Sequence, residues 1–318
     1  MTLTRGGLLA AGLLAGCATA GRRATILYTS VVAAVSPKEA TVDIERSFLE
    51  RVKDRVTIDA GFIVDNAMRK PNADILDGDL HVAGRVPEIG FRIVAELENA
   101  AEATQAMAVF QRAESTHATL PLRGVWRLWP EHTLIPEDQR DTVPQLTTPN
   151  VDHIFEIHPI VRVAGVSALE TFHPVKGYRP GNASRTFGIY EAAECTLKLS
   201  PTMVRLATSN FLYNDVHFLL ERGRGRTVSA PGGYFLWGAA LDTDGNRLVD
   251  SVRFVLVQGS APERAVRALR PGGRLHVWGL PRVSFSELSR RITAAGSNPA
   301  GLKGKLPYEI IVLGVYTD

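Results

Sequence analysis

One order of secondary-structure elements occurs twice in this chain of 318 residues. In each half, three segments with strand patterns precede a helical segment, and two further strands follow it. The last strand of each copy, in Val151–Val163 and in Leu306–Val315, contains an aromatic residue, Glu and Ile in succession. Val151–Val163 also alternates between apolar and polar side chains, which is typical of a half-buried strand. The repeat predicts two domains of the same design in tandem.

The first copy follows a predicted strand at residues 24–35 and a predicted amphipathic helix at 42–52, in which Ile44, Phe48 and Val52 recur at helical spacing. Its strands are predicted at 55–65, 78–85, 91–98, 120–129 and 151–163, with a helix at 99–115 and a long polar loop at 130–150. Strand, strand, strand, helix, strand, loop and strand is the order of the OB-fold, a five-stranded Greek-key barrel.

The second copy has the same order. Its strands are predicted at 216–221, 234–241, 247–257, 274–280 and 308–316, with a helix at 261–269 and a helix or loop at 284–305. A hairpin formed by 186–199 and 203–209 precedes it. We therefore predict a mainly β protein with a few helices, made of two tandem OB-fold-like five-stranded barrels. The first domain spans 24–165, the second spans 186–318 with the added hairpin, and residues 166–185 link them.

Charge is distributed unevenly between the two halves. The net charge is only +3, but residues 22–168 carry 16 Lys and Arg against 21 Asp and Glu, a net of −5. Residues 169–318 carry 19 against 12, a net of +7. The hydrophobic fraction of 45% is enough for each half to bury a core. The second domain, rather than the first, is therefore expected to attract an anionic ligand.

Residues 1–20 have the pattern of a targeting segment. Their apolar run is too short to cross a bilayer, and it ends in Leu14–Cys17, which resembles the lipobox of bacterial lipoproteins. The resemblance implies lipidation of Cys17 and, because Ala18 follows it, sorting to the outer membrane, facing the periplasm. The alternative is an ordinary signal peptide cleaved after Ala20. Both alternatives predict export from the cytoplasm to the cell envelope.

Three short motifs of the first domain lie on its predicted second, third and fifth strands. They are Asp77-Gly78-Asp79-Leu80-His81, Ala95-Glu96-Leu97 and Glu156-Ile157-His158-Pro159. In these motifs the chain, over residues 56–163, resembles uncharacterised bacterial exported proteins of OB-like pattern. The resemblance implies a small barrel outside the cytoplasm and brings no named activity. The second half lacks both His positions, with Ile311 where His158 would align, so a site of this kind is expected only in the first domain.

Five ionisable side chains of the first domain are predicted to form a cluster on one face. Strand alternation places Asp79 with His81, and Glu156 with His158, on shared faces. Pairing of the second and third strands brings His81 near Glu96, and the OB order makes the third and fifth strands neighbours. Two imidazoles with carboxylates match the ligands of a divalent metal, and such an ion activates water in some enzymes. The alternative is a hydrogen-bonded polar network that stabilises the barrel face.

The second domain carries basic loops near aromatic strand residues. OB-folds bind oligonucleotides and oligosaccharides with such loops and with the face of strands two and three. The candidate ligand-binding residues are Arg222, Arg224, Arg226, Tyr234, Trp237, Arg290 and Arg291. Charge and stacking suit an anionic chain, which outside the cytoplasm is an envelope polymer, a lipid headgroup or an acidic protein rather than nucleic acid. The alternative is a solvated loop with its aromatic residues in the core.

Two further features have structural interpretations. Asp242–Asn246 resembles a calcium loop, but it lacks the spacing to a bidentate Glu, and Asp-Gly between strands predicts a hairpin turn. If Cys17 is lipidated, Cys195 has no partner for an intrachain disulfide and is predicted to be a small core residue. The sequence contains no nucleophile elbow, phosphate loop or dinucleotide fingerprint.

The sequence therefore favours a non-enzymatic lipoprotein of the cell envelope, attached to the membrane through lipid, whose two barrels serve as a binding or assembly module. The alternative function is a metal-dependent hydrolase with its site on the outer face of the first domain. The one cofactor that the residues indicate is a divalent metal in the first domain.

Overall fold

The computed structural model describes residues 33–36, 39–87, 89–131, 145–151, 153–209, 215–296 and 302–317. Within these ranges the structure is mostly β, with five α-helices, as predicted. The predicted targeting segment, Cys17 and most of the strand predicted at 24–35 lie outside the described residues. Across the described part of the chain, no helix combines the length and the apolar character that crossing a membrane requires.

The strands and helices of the two barrels follow the predicted order with small shifts of their ends. The N-terminal elements are β1 (Ala33–Ser36), β2 (Glu39–Glu45) and α1 (Arg46–Val52). The first barrel consists of β3 (Thr57–Ala67), β4 (Leu80–Val86), β5 (Ile89–Leu97), α2 (Thr104–Thr116), β6 (Thr119–Leu128) and β7 (Phe155–Val163). The connecting region contains β8 (Val166–Ser167), a 3-10 helix (Leu169–Thr171), β9 (Gly181–Asn182), α3 (Ala183–Ala192), β10 (Glu194–Leu199) and β11 (Met203–Ser209). The remaining elements are β12 (Val216–Arg222), β13 (Val228–Ala230), β14 (Gly233–Leu241), β15 (Arg247–Val257), α4 (Ala261–Ala268), β16 (Arg274–Val283), α5 (Phe285–Ala295), β17 (Leu302–Lys305) and β18 (Tyr308–Val315).

Each barrel is closed by the same set of strand pairs. In the first barrel β3 pairs with β4 and β6, β4 with β5, and β6 with β7, and parallel pairing of β5 with β7 closes the sheet. In the second barrel β12 pairs with β14 and β16, β14 with β15, and β16 with β18, and parallel pairing of β15 with β18 closes it. The prediction of two five-stranded OB-like barrels is confirmed.

Strand alternation fills both barrels with apolar side chains. In the first barrel, Phe62 of β3 meets Phe110 of α2 edge-on, with ring centroids 6.4 Å apart. In the second barrel, Phe218 of β12 stacks on Phe254 of β15, with ring centroids 5.9 Å apart. All four side chains are fully buried. Because burial of one such ring contributes roughly 1.5–3 kcal/mol, the alternation that predicts the strands also stabilises each barrel.

The two barrels share an apolar interface. Its residues come from the outer faces of both barrels and from the region between them: Val56, Val125, Val161, Phe172, Val175, Phe235, Val255, Val257, Trp278, Leu280, Ile311 and Leu313. Residues 166–185, which were predicted to be a link, contribute Phe172 and Val175, which are 1% and 6% exposed. The connection therefore packs between the barrels and helps to fix the face on which the cluster lies.

A third sheet, with the strand order β1-β2-β11-β10-β17, lies outside both barrels and corrects two predictions. Residues 42–45 belong to β2 rather than to a helix, because they pair with β11. Residues 186–192 belong to α3 rather than to a strand, because the Asn182 side chain caps this helix by accepting a hydrogen bond from Arg185 N at 3.1 Å.

Candidate functional site

The five predicted cluster residues come together on the outer face of the first barrel, where β4, β5 and β7 are neighbours; they are Asp79, His81, Glu96, Glu156 and His158. Leu80, Ala95 and Ile157 fill the barrel interior, so strand alternation turns the residues beside them outward. His81 lies opposite Glu96 in the pairing of β4 with β5. Parallel pairing of β5 with β7 then brings Glu156 and His158 of β7 next to Glu96.

His158 lies at the centre of the cluster, because both of its ring nitrogens face carboxylates. Its Nδ1 lies 3.0 Å from Glu96 Oε2 and 3.3 Å from Glu156 Oε2. Its Nε2 lies 2.6 Å from Glu98 Oε1 and 3.6 Å from Asp79 Oδ2. Burial alone would lower the pKa of His158, but the carboxylates, Glu96 and Glu98 first, raise it well above its usual value. The imidazole is therefore the positive centre of an acidic cluster.

Three ionisable residues that were not among the predicted ligands also belong to the cluster: Glu98, Arg127 and His153. Glu98 follows Glu96 by two residues and shares its face, so strand alternation was a signal that pointed to it. Arg127 lies opposite Glu156 in the pairing of β6 with β7, and its Nη1 donates to Glu156 Oε2 at 2.5 Å. His153 Nε2 lies 2.9 Å from Glu156 Oε1. No strand pattern predicts this last contact, because His153 precedes β7.

Burial makes the charges of the cluster interact strongly. The side chains of the five predicted residues are at most 12% exposed. Burial alone would raise the pKa of Glu156, but Arg127 and then His153 and His158 hold it well below its usual value. Burial, followed by the charge of Glu98, raises the pKa of Asp79 well above its usual value. The Asp79 end of the cluster therefore has carboxyl groups in excess of cations, and Asp79 resists ionisation there, whereas Arg127 balances the Glu156 end.

The cluster contains two sets of potential metal ligands: Asp79, Glu98 and His158 in the first, and Glu96, His153 and Glu156 in the second. Within each set, the ligand atoms lie within 4.8 Å of one another. The second set is closed, because Glu156 already pairs with Arg127 and His153 through its two oxygens. In the first set, Asp79 Oδ1 and Glu98 Oε2 are buried and accept no hydrogen bond from the described residues. Since an unsatisfied buried oxygen is costly, the first set favours a bound cation.

The donor atoms and the position of the first set both indicate a ligand site. An imidazole nitrogen with two carboxylates suits a transition metal such as zinc, manganese or iron, whereas calcium and magnesium prefer oxygen ligands. OB-folds bind ligands with the loop between the first two strands and with the face of strands two and three. Asp79 ends that loop and Glu98 follows the third strand. The set therefore lies on the ligand face of the first barrel.

A buried carboxyl group just before the second barrel interacts electrostatically with the cluster. Asp215, which precedes β12, accepts hydrogen bonds from Trp278 Nε1 at 2.7 Å and from the Tyr178 hydroxyl. Burial raises the pKa of Asp215 to about 6; the two hydrogen bonds oppose this shift, and the charges of Glu131 and Glu98 add to it. The acidic cluster of the first barrel therefore acts on a carboxyl group of the second.

The predicted anion-binding residues of the second barrel differ in their local surroundings. Arg222 Nη1 donates to the main-chain carbonyl of Arg267 at 2.9 Å and to that of Leu269, at the end of α4. Tyr234 lies under the guanidinium group of Arg267, 4.0 Å from the ring centroid. Trp237 is 41% exposed on the outer face of β14. Three residues of the predicted set thus have three different surroundings.

The four remaining arginines of that set divide into two groups. Arg290 and Arg291 lie on α5, and both pair with Glu287, at 2.7 Å and 3.0 Å. Arg224 and Arg226 are exposed in the loop after β12, and neither has an acidic partner among the described residues. Of these four arginines, Arg224 and Arg226 are therefore the two whose charge is not balanced by an acidic residue among the described residues.

The two features with structural interpretations have the surroundings that were predicted for them. Asp242 Oδ1 accepts hydrogen bonds from Asp244 N at 3.0 Å and Asn246 N at 2.8 Å, and Gly245 has a φ of +90°. These contacts form the hairpin turn between β14 and β15. Cys195 is 3% exposed and belongs to the apolar core.

Comparisons with known proteins do not assign the site. A scan against protein-family models finds no match, and a search of curated proteins finds no significant similarity. The conclusions on function therefore depend on the residues and their geometry.

Proposed function

We propose that this protein is an exported binding protein of the cell envelope whose first barrel holds one divalent transition-metal ion. The proposal rests on two buried oxygens without hydrogen-bond partners among the described residues, Asp79 Oδ1 and Glu98 Oε2. The other oxygens of the same two carboxyl groups lie 3.6 Å and 2.6 Å from His158 Nε2. A divalent ion would satisfy both oxygens and offset the excess of carboxylates. Asp79, Glu98 and His158 are the proposed ligands, and His158 would bind through Nε2 after losing the proton that the carboxylates otherwise stabilise.

The rest of the cluster supports these ligands. Glu96 Oε2 lies 3.0 Å from Nδ1 of His158, which orients the ring so that its Nε2 faces Asp79 and Glu98. A carboxylate on the second nitrogen of a ligating histidine commonly fixes the ring and raises its basicity. Arg127 balances the charge of Glu156, so the second set of carboxylates does not compete for the ion.

The geometry favours holding an ion over hydrolysis. The side chains of the three proposed ligands are at most 4% exposed. A catalytic zinc site needs an open coordination position that the substrate can reach. We therefore propose a non-enzymatic role, in which the ion stabilises the first barrel. Export and lipid attachment at Cys17 are part of the proposal, and the lipobox-like residues support them.

Elemental analysis of the chain from Gly21 onward, purified without chelator or a histidine tag, tests the proposal. After incubation with zinc or manganese and dialysis, we expect about one equivalent of metal in the wild type and none in Asp79→Asn or Glu98→Gln. Asp65→Asn is the matched control and should keep the ion, because it alters a buried carboxylate of the same barrel that pairs with Arg85 at 2.7 Å. A folded wild type that takes up no metal would show that the proposal is wrong.

A further inference from the structure

Arginines gather at one end of the second barrel, around α4. Five of them define what we call the arginine face: Arg224 and Arg226 in the loop after β12, Arg264 and Arg267 on α4, and Arg270 after it. All five residues are exposed. Neither residues 222–226 nor residues 264–274 contain Asp or Glu. This end of the barrel therefore holds five of the 19 Lys and Arg of residues 169–318, of which Arg267 pairs with Glu263 at 2.6 Å.

Hydrogen bonds hold the loop and the helix end together. Arg222 N donates to Gly273 O at 2.9 Å, and Gly272 N donates to Arg222 O at 2.7 Å. Arg222 Nη1 also donates to Arg267 O at 2.9 Å. The loop arginines follow Arg222 by two and four residues, so the chain keeps them within roughly 14 Å of it. The loop that carries Arg224 and Arg226 is therefore fixed next to the end of α4, which carries the other arginines.

Three arginines of this face are not neutralised. Arg224, Arg226 and Arg270 make no hydrogen bond or ion pair through their side chains with the described residues. By contrast, Arg123 and Arg205, which are also solvent-accessible, each pair with an aspartate at 2.6 Å. A guanidinium group matches the geometry of phosphate oxygens and binds them through two parallel hydrogen bonds. The arginine face is therefore suited to a surface that presents several phosphate groups.

We propose that the arginine face docks on an anionic membrane, where it contacts the phosphates of lipid headgroups. The position of the lipobox-like segment favours a membrane over a soluble partner: Cys17 lies 16 positions before β1, a distance that the chain spans in at most roughly 55 Å. A lipid attached at Cys17 would thus keep the barrels near the bilayer. Each arginine near an anionic leaflet strengthens binding about fivefold. This proposal is independent of the metal site.

Co-sedimentation with lipid vesicles tests the proposal on the chain from Gly21 onward, which retains every described residue. We expect binding to vesicles that contain phosphatidylglycerol and none to vesicles of phosphatidylcholine alone. Raising the salt from about 0.1 M to about 1 M should release the protein, because the Debye length falls from about 10 Å to about 3 Å. The triple variant Arg224→Gln/Arg226→Gln/Arg270→Gln is expected to bind roughly 100-fold more weakly. Thermal unfolding checks that it is folded.

The matched control removes the same charge elsewhere, through Arg51→Gln/Arg112→Gln/Lys198→Gln, three exposed residues outside the arginine face. This variant should bind nearly as well as the wild type. Equal weakening by both triple variants would overturn the proposal, because net charge rather than the arginine face would then decide binding. Equal binding of the wild type to neutral vesicles would also overturn it, as would binding to soluble polyphosphate with none to vesicles.

Discussion

The two barrels fill five equivalent positions of one scaffold in opposite ways. The strand registers align Asp79, His81, Glu96, Glu98 and His158 of the first barrel with Gly233, Phe235, Val255, Val257 and Ile311 of the second. In the second barrel, the four residues other than Gly233 have apolar side chains, and these side chains lie in the interface between the barrels. In the first barrel the same positions form the ionisable cluster. The strand topology thus decides which side chains lie together. Their chemistry decides whether this face packs against the other barrel or forms a cluster of potential ligands.

A sixth position is acidic in both barrels and sharpens the contrast. Glu156 and Glu309 each lie opposite an arginine of the neighbouring strand, Arg127 and Arg282. Glu309 is satisfied by two guanidinium groups: Arg282 Nε lies 2.6 Å from its Oε1, and Arg253 Nε contacts its Oε2. Burial lowers the pKa of Arg282 to about 10, although Glu309 opposes this shift. Among the described residues, Glu309 of the second barrel therefore pairs with arginines, whereas Glu156 of the first barrel is also surrounded by potential metal ligands.

Among the three variants, removing one arginine from the buried group of Arg253, Glu309 and Arg282 should have the largest effect on stability. We expect Arg282→Met to lower the free energy of unfolding by about 3–5 kcal/mol, because fully buried Glu309 loses one of its two charged partners. Urea denaturation at pH 7 measures this loss. Adding Glu309→Leu to the variant should restore part of it, since the buried negative charge is then gone. A loss below about 1 kcal/mol, as for an exposed ion pair, would contradict the account.

Asp215 tests the electrostatic contact between the two barrels. Its pKa rises from 3.8 to about 6 in the folded protein, so the folded state keeps a proton that the unfolded state releases between these values. This contribution to stability is present below about pH 4 and is lost as the pH rises through about 6. Relative to Asp215→Asn, the free energy of unfolding of the wild type should therefore fall by about 2 kcal/mol between about pH 4 and pH 7. A constant difference over this range would contradict the predicted shift.

Replacing cluster residues of the first barrel with the apolar residues at the equivalent positions of the second barrel should have the smallest effect on stability. The variant Glu96→Val/Glu98→Val/His158→Ile introduces the residues found at Val255, Val257 and Ile311. Because apolar residues often replace buried ionic groups without loss, we expect a metal-free stability that is unchanged or about 1 kcal/mol higher. Metal uptake should be abolished. Retention of one equivalent of metal by the folded variant would place the ion elsewhere.

Local patterns predicted most of the barrel strands, because alternation and turn residues act within a few positions. They failed where one residue fits two patterns. Ile44 lies at helical spacing from Phe48, but it also alternates with Val42, and pairing with β11 decided for the strand. The helix α3 was predictable: Phe187 and Tyr190 are buried at helical spacing after the capping Asn182.

Sequence patterns alone predicted the strand order of both barrels and the faces that Asp79, His81, Glu96 and His158 occupy, because side-chain direction follows from alternation along each strand. The balance of their charges depends on contacts between distant parts of the chain. Arg127 reaches Glu156 from another strand, 29 residues away along the chain, and the charge of Glu98 acts on Asp215 of the second barrel. Desolvation and long-range strand pairing set these interactions, and neither is encoded in a local pattern.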